Sequence, residues 1–236
     1  MKTKTAIVVF ADASKSEARS KKLLPELNEH ANVELLRFMT NQTCLVAQAS
    51  GFPVLLVNGA LQAGKTFGER IRSAFQYAFN QGYENIVLIG NDCIGLATED
   101  LREAAQLVEN NQVVLGPDLR GGTWVIGMNK ATFDQTDLTL FNWQRNSLYT
   151  ELSTHFGAGQ VTALSVRKDV NTTRDFRFYK QLLTSDYTLN STQQYLVHFL
   201  KTLHSSDHYL ASETVLKEAL FVQKRHMRAP PQWQAA

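Results

Sequence analysis

The sequence predicts an α/β protein, a three-layer sandwich on a mainly parallel sheet, and three observations carry that prediction. Short runs of consecutive apolar residues, TAIVVF, PVLLVN, NIVLIG, QVVLGP and TWVIGM, recur between residues 5 and 128, and strands covered on both faces read this way. Segments with apolar residues at helical spacing lie among them. Apolar strands alternating with amphipathic helices imply parallel pairing with helices on both faces of the sheet.

Taken in order, TAIVVF at 5–10 is the first strand, ADASKSEARSK at 11–21 a polar loop, and the mixed segment through Glu29 has helical character. VELLRF at 33–38 and PVLLVN at 53–58 read as strands. In FGERIRSAFQYAFNQG, Ile71, Ala74, Phe75, Ala78 and Phe79 make one helical face, ended by Gly82. NIVLIG is a strand, and TEDLREAAQLVENN is a helix with Thr98 as its expected N-cap and acids in its first turn. QVVLGP and TWVIGM complete the sheet. Residues 1–180 are expected as one domain and 181–236 as a helical extension.

With 24 basic against 22 acidic residues among 236, the chain has no global field to attract nucleic acid, and no apolar run approaches a membrane span. Cys44 and Cys93 show neither disulfide nor zinc spacing and are expected as reduced thiols. AIVVFA is too short for a signal-peptide core, so a cytoplasmic location is the default.

Two motifs carry chemistry. VLIGNDCIGL at 87–96 ends a buried strand on Gly90, Asn91 and Asp92, where ligands of parallel sheets bind. Gly59 to Thr66 fits GxxxxGK[ST], the loop whose backbone N–H groups cradle phosphates. Against that reading, at least one strand precedes the loop and its four spacer positions hold no further glycine or serine.

Gln62, Gly64, Gly68, Glu69, Arg70, Ala74 and Phe75, then Gly90, Asp92, Cys93 and Leu96, then Gly116, Pro117, Gly121, Gly122, Ile126 and Gly127, together resemble the bacterial family DUF2064, glycosyltransferase-A-like (GT-A) nucleotide-diphospho-sugar transferases. LFNWQ with Trp143 and the segment KDVNTTRDF extend the resemblance to Phe176, with the order of blocks kept. The resemblance implies a GT-A-type sandwich in which Asp92 holds Mg²⁺ or Mn²⁺ against a donor diphosphate, with Asn171 as second oxygen ligand. It also implies a donor site including Lys15, Arg19 and Lys22 of the opening loop, beside Lys21, with Gln62, Gly64, Arg70, Gly90 and Asn91. Gly121 and Gly122 would let the backbone pass close to a sugar, and Trp124 would lie along it or pack in the core.

Arg120 and Asn171 stand where the family has aspartates, so attraction for a divalent ion is weakened by ~1 kcal/mol or more per lost charge. Arg120 is instead available to a phosphate. The expected activity is metal-assisted glycosyl transfer from a nucleotide-diphospho-sugar to an acceptor of unassigned class. Nucleotidyl transfer on the same fold, a non-catalytic nucleotide-binding protein and a phosphate-loop NTPase are the alternatives.

Overall fold

The structure is a computed structural model describing residues 4–25 and 28–184. Two units divide the chain, 1–176 and 177–236; from residue 185 onward the expected C-terminal extension lies outside the described residues.

Six strands form one sheet: β1 (Thr5–Phe10), β2 (Val54–Val57), β3 (Asn85–Ile89), β4 (Val113–Pro117), β5 (Thr123–Asn129) and β6 (Val161–Ala163), in the order β2-β1-β3-β5-β4-β6. Pairing is parallel for β1 with β2 and β3, and for β4 with β6, while β5 runs antiparallel to both β3 and β4. Every residue of β1 is buried, and its side chains alternate between two cores. Ala6, Val8 and Phe10 join a cluster with Ile71, Phe75 and Phe133; Ile7 and Val9 join another with Leu101, Ala104 and Val108. One core on each side of the sheet is the expected three-layer sandwich.

The helices are α1 (Ser14–Ser20), α2 (Glu29–Ala49), α3 (Phe67–Asn80), α4 (Thr98–Glu109), α5 (Lys130–Asp134), α6 (Leu148–Phe156) and α7 (Thr173–Thr184). The predicted face of α3 is buried, and Gly82 follows the helix with φ +89°. The α4 cap sits one residue earlier than expected, because the Ala97 N–H donates to Asp100 at 2.8 Å and Thr98 is already helical.

Three expectations fail in the first fifty residues, the first being the helical character expected of the segment through Glu29, where the described residues after α1 are not helical before α2 begins at Glu29. VELLRF is not a strand but lies inside α2, where Leu35, Leu36, Met39, Thr43 and Ala47 are buried at helical spacing and the Asn28 side chain caps the Ala31 N–H. A six-residue window hid a 21-residue helix, and length is what separates buried helix from strand. The polar stretch after β1 is α1, which buries Glu17 and Ala18. Among the described residues no helix is long and apolar enough to cross a membrane, and both cysteines are free.

Candidate functional site

The chain turns from β1 toward β2 and returns to place β3 on the other side. Such a reversal opens a crevice at the carboxyl ends of the strands. Because β5 is antiparallel, the β4–β5 turn at 118–122 lies at this same end. A cleft of about 510 Å³ opens here, lined by the ends of β1 and β3, the start of β5 and residues of the 143–146 loop. Small-molecule pockets are of this size.

Asp92 follows β3 at the floor of the cleft. A side chain at Gly90 would bring its Cβ to 2.9 Å from the Asp92 Oδ1, so glycine leaves room for the carboxylate to fold back. Lys21 donates to Asp92 Oδ2 at 3.2 Å and lies 3.5 Å from Glu17, and the ammonium chain is 9% exposed. Asn32 of α2 fixes this lysine's backbone by donating to the Lys21 carbonyl at 2.7 Å and accepting from the Leu23 N–H at 2.9 Å. Asn91 points inward, donating to Glu17 at 3.1 Å and Thr40 at 2.9 Å. Burial pushes the Glu17 carboxyl up, against the opposing pull of Lys21 and the Asn91 hydrogen bond.

A second strand-end segment closes the floor. Arg167 donates to both Asp100 oxygens, at 2.6 and 2.8 Å, and the Val170 N–H donates to the Asp92 carbonyl at 2.9 Å. Asp169 is thereby held beside Asp92. Its Oδ1 is shut off from solvent and, among the described residues, has no hydrogen-bond partner. Burial first, then the charges of Asp92 and Asp118, push its carboxyl up to about 8. Asp118 also lines the cleft and accepts from the N–H groups of Arg120 at 2.6 Å and Gly122 at 2.8 Å.

Other residues singled out from the sequence lie as follows. Asn171 lines the cleft, and its side-chain amide has no partner among the described residues. Arg120 lines it too, but its guanidinium is held by Asp175. Although burial opposes ionisation of Asp175, hydrogen bonds from Thr172 and Arg120 outweigh it and hold the carboxyl below its ordinary range. Gly121, at φ +83°, could not carry a side chain, since a Cβ would meet the Asn146 carbonyl oxygen at 1.9 Å; Gly122 lines the cleft above Asp118. Gln62 ties β1 to β2 by donating to the Ala11 and Val57 carbonyls at 2.8 and 3.1 Å, and Arg70 bonds Asp12 at 2.9 Å rather than Asp92. Lys15, Arg19 and Lys22 are exposed and do not line the cleft; Lys21 is the opening-loop cation that reaches it.

Trp124 is buried in the core, donating to the Ser165 carbonyl at 3.1 Å, with one edge in the cleft. Trp143 donates to the Leu138 carbonyl at 2.7 Å and packs over Gly68 and the Phe67 ring.

The phosphate-loop pattern has a local explanation. Thr66 and Glu69 form a capping box on α3, and Glu69 accepts from the N–H groups of Lys65 at 2.6 Å and Thr66 at 2.8 Å. These donors hold the Glu69 carboxyl below its ordinary range. A carboxylate of the chain thus occupies the N–H groups that would cradle a phosphate. The loop also follows the edge strand β2, and β1 separates that strand from β3, after which Asp92 lies.

Sequence reasoning did not single out Asp118, Asp169, Gln144, Arg145 or Asn146 as site residues. For Asp169 a signal existed, since it is the first acid of KDVNTTRDF, two residues before Asn171.

Residues 40–144 match the model of the family DUF2064, described as an uncharacterized protein conserved in bacteria. The resemblance read from Gln62 to Phe176 is matched as far as residue 144, and the KDVNTTRDF segment lies beyond the match. No curated protein matches. Among solved structures, a protein of Desulfovibrio desulfuricans G20, provisionally named a nucleotide-diphospho-sugar transferase, is 18% identical, with 92% of this chain and 98% of that one covered at a TM-score of 0.70. A Mycobacterium tuberculosis H37Rv protein solved with manganese is 18% identical, with 75% of this chain and 98% of that one covered at 0.44. A cytidylyltransferase of Leptospira borgpetersenii is 14% identical, with 86% and 96% covered at 0.45. The first of these matches carries the fold, which is the α/β sandwich of nucleotide-diphospho-sugar transferase type; the other two add nothing to it.

Proposed function

We propose that the chain is a transferase that takes a glycosyl group from a nucleotide-diphospho-sugar, with a divalent cation held by Asp92 and Asp169. The observation that supports this most is the buried, unpartnered Asp169 Oδ1 beside Asp92 at the strand ends. Asp92 Oδ1 likewise has no hydrogen-bond partner among the described residues, and the Asn171 amide oxygen is a third candidate ligand. Among the described residues no group of three or more His, Cys, Asp or Glu side chains could hold a metal alone. Two carboxylates nevertheless suit Mg²⁺ or Mn²⁺, which such sites share with substrate phosphates. When bound, the ion would neutralise charge on the departing nucleoside diphosphate.

The chain's own groups do the rest. Lys21 donates to Asp92 Oδ2 and so holds the carboxylate in place, leaving Oδ1 without a hydrogen bond among the described residues. The donor's nucleotide fits the crevice between β1 and β3, and the aromatic wall of Phe67 and Trp143, ring centroids 5.7 Å apart, shields the reacting bond from water. The glycosidic carbon–oxygen bond to the diphosphate breaks with its electron pair leaving on the nucleotide, and an acceptor oxygen bonds that carbon as its proton passes to solvent.

One observation favours a second reading. A buried ammonium already sits 3.2 Å from Asp92, which suits a nucleotide-binding protein that needs no metal. Thermal unfolding against nucleoside di- and triphosphates and nucleotide-sugars, with and without Mn²⁺, separates the two. A ligand at 100 times its Kd adds about 2.7 kcal/mol, hence roughly 5–10 °C. The transferase reading requires a Mn²⁺-dependent shift that disappears in Asp92→Ala. A shift indifferent to Mn²⁺ and to Asp92→Ala supports the binding protein, and pyrophosphate release from a triphosphate would reassign the chemistry to nucleotidyl transfer.

A further inference from the structure

Three cations line the cleft, and two are already spoken for: Lys21 by Asp92 and Glu17, Arg120 by Asp175. The Arg145 guanidinium is the third, and among the described residues it makes no hydrogen bond or ion pair. Gln144 and Asn146 flank it in the same lining, with side-chain amides that also have no partner among the described residues.

The loop that carries these three residues is held on both sides. Trp143 is pinned at 2.7 Å to the Leu138 carbonyl. The Asn146 carbonyl presses on Gly121, and the Gly121 carbonyl accepts from the Tyr149 N–H at 3.0 Å. Between these anchors Gln144 has φ +62°, a left-handed conformation uncommon for a residue with a side chain and one that persists only where the surroundings impose it. A fixed loop thus offers one free planar cation between two amides. A guanidinium holds an oxyanion through two parallel hydrogen bonds, and amides both donate to and accept from hydroxyls.

We propose that residues 144–146 form the acceptor subsite of the transferase proposed above, and that the acceptor is an anionic, hydroxyl-bearing compound whose phosphate or carboxylate is anchored by Arg145. This assignment rests on that reading for the word acceptor. The topology supports it, because the nucleotide crevice lies between β1 and β3, whereas this loop is fastened to the β4–β5 turn on the other side of Asp92.

The test is titration of the full chain with glycerol 3-phosphate, glycerate and glycerol, and separately with nucleoside diphosphates plus Mn²⁺, for wild type, Arg145→Ala and Arg145→Lys. Arg145 is exposed and unpaired, so the variants should melt with the wild type. The expected result is that one of the two anions binds more tightly than glycerol, loses about 10- to 100-fold in Arg145→Ala, and recovers in part in Arg145→Lys, with nucleotide affinity unchanged. Equal binding of all three probes, or no loss in Arg145→Ala, overturns the subsite. A loss of Mn²⁺-dependent nucleotide binding in Arg145→Ala also overturns it, since the anion held would be the donor's own diphosphate. Arg145-dependent anion binding without any nucleotide binding would keep the anion site and remove the transferase reading.

Discussion

Replacing Asp169 with asparagine should stabilise the metal-free protein at high pH and leave it nearly unchanged at low pH. The carboxyl is raised from its ordinary 3.8 to about 8 by burial and by the charges of Asp92 and Asp118. Between those values the folded state keeps a proton that the unfolded chain releases, so this stabilising contribution is complete below pH 3.8 and is lost as pH rises through 8. A shift of about four pH units at ~1.4 kcal/mol each sets a ceiling near ~6 kcal/mol. Asp169 is only partly buried as a residue although its Oδ1 is shut off from solvent. Local hydration and relaxation should therefore bring the effect to roughly 2–3 kcal/mol. Urea unfolding of metal-free protein at pH 3 and pH 9 reads the difference. Asp169→Asn should gain ~2–3 kcal/mol over the wild type at pH 9 and differ by less than ~0.5 kcal/mol at pH 3, below the ordinary carboxyl value. Adding Mn²⁺ at the higher pH should then stabilise the wild type and not the variant. Equal stabilities at pH 9, or a difference independent of pH, would refute the account of a carboxyl held against its will beside Asp92.

Lys21→Met should cost about 3 kcal/mol in metal-free protein, since it strands two carboxylates around a buried position, and Mn²⁺ should restore part of that loss; calorimetric titration with Mn²⁺ should show tighter binding than in the wild type. Gly68→Ala should lower stability by roughly 1–3 kcal/mol, read by denaturant unfolding, because its Cβ would stand 2.7 Å from the Trp143 Nε1 and push the indole off the Leu138 carbonyl. Lys65→Ala should leave every nucleotide-induced thermal shift intact, because the side chain it removes is exposed and does not line the cleft.

Five of the six strands were legible because each is a self-contained apolar run, and α3 because its apolar face and its terminal Gly82 agree; β6, three residues of which none is buried, gave no such signal and was not read from the sequence. The first fifty residues were harder. In α2 the polar Thr40 and Thr43 are absorbed by bonds to the Leu36 and Met39 carbonyls, each at 3.1 Å, so its buried face carries no clean apolar stripe. Within the site, Asp92 stood out because a carboxylate after a buried strand has no packing rationale. Asp118 and Asp169 sit in loops, where an acid is unremarkable until tertiary contacts bring it beside another. The ion pairs Lys21–Asp92 and Arg120–Asp175 join residues 71 and 55 positions apart, separations at which no local pattern operates.

The antiparallel β5 has a consequence for how such a site can change. Parallel strands must be joined by long crossovers, yet the β4–β5 connection reaches the cleft in five residues, 118–122. The register shift between Gly116 and Pro117 lies next to that turn, so a change of length there can be taken up before it reaches the paired strands. Asp118, Arg120 and Gly122 all belong to this turn and all face the cleft. Ligand preference can therefore drift through one short hairpin tip while the hydrophobic layers that fold the protein stay as they are.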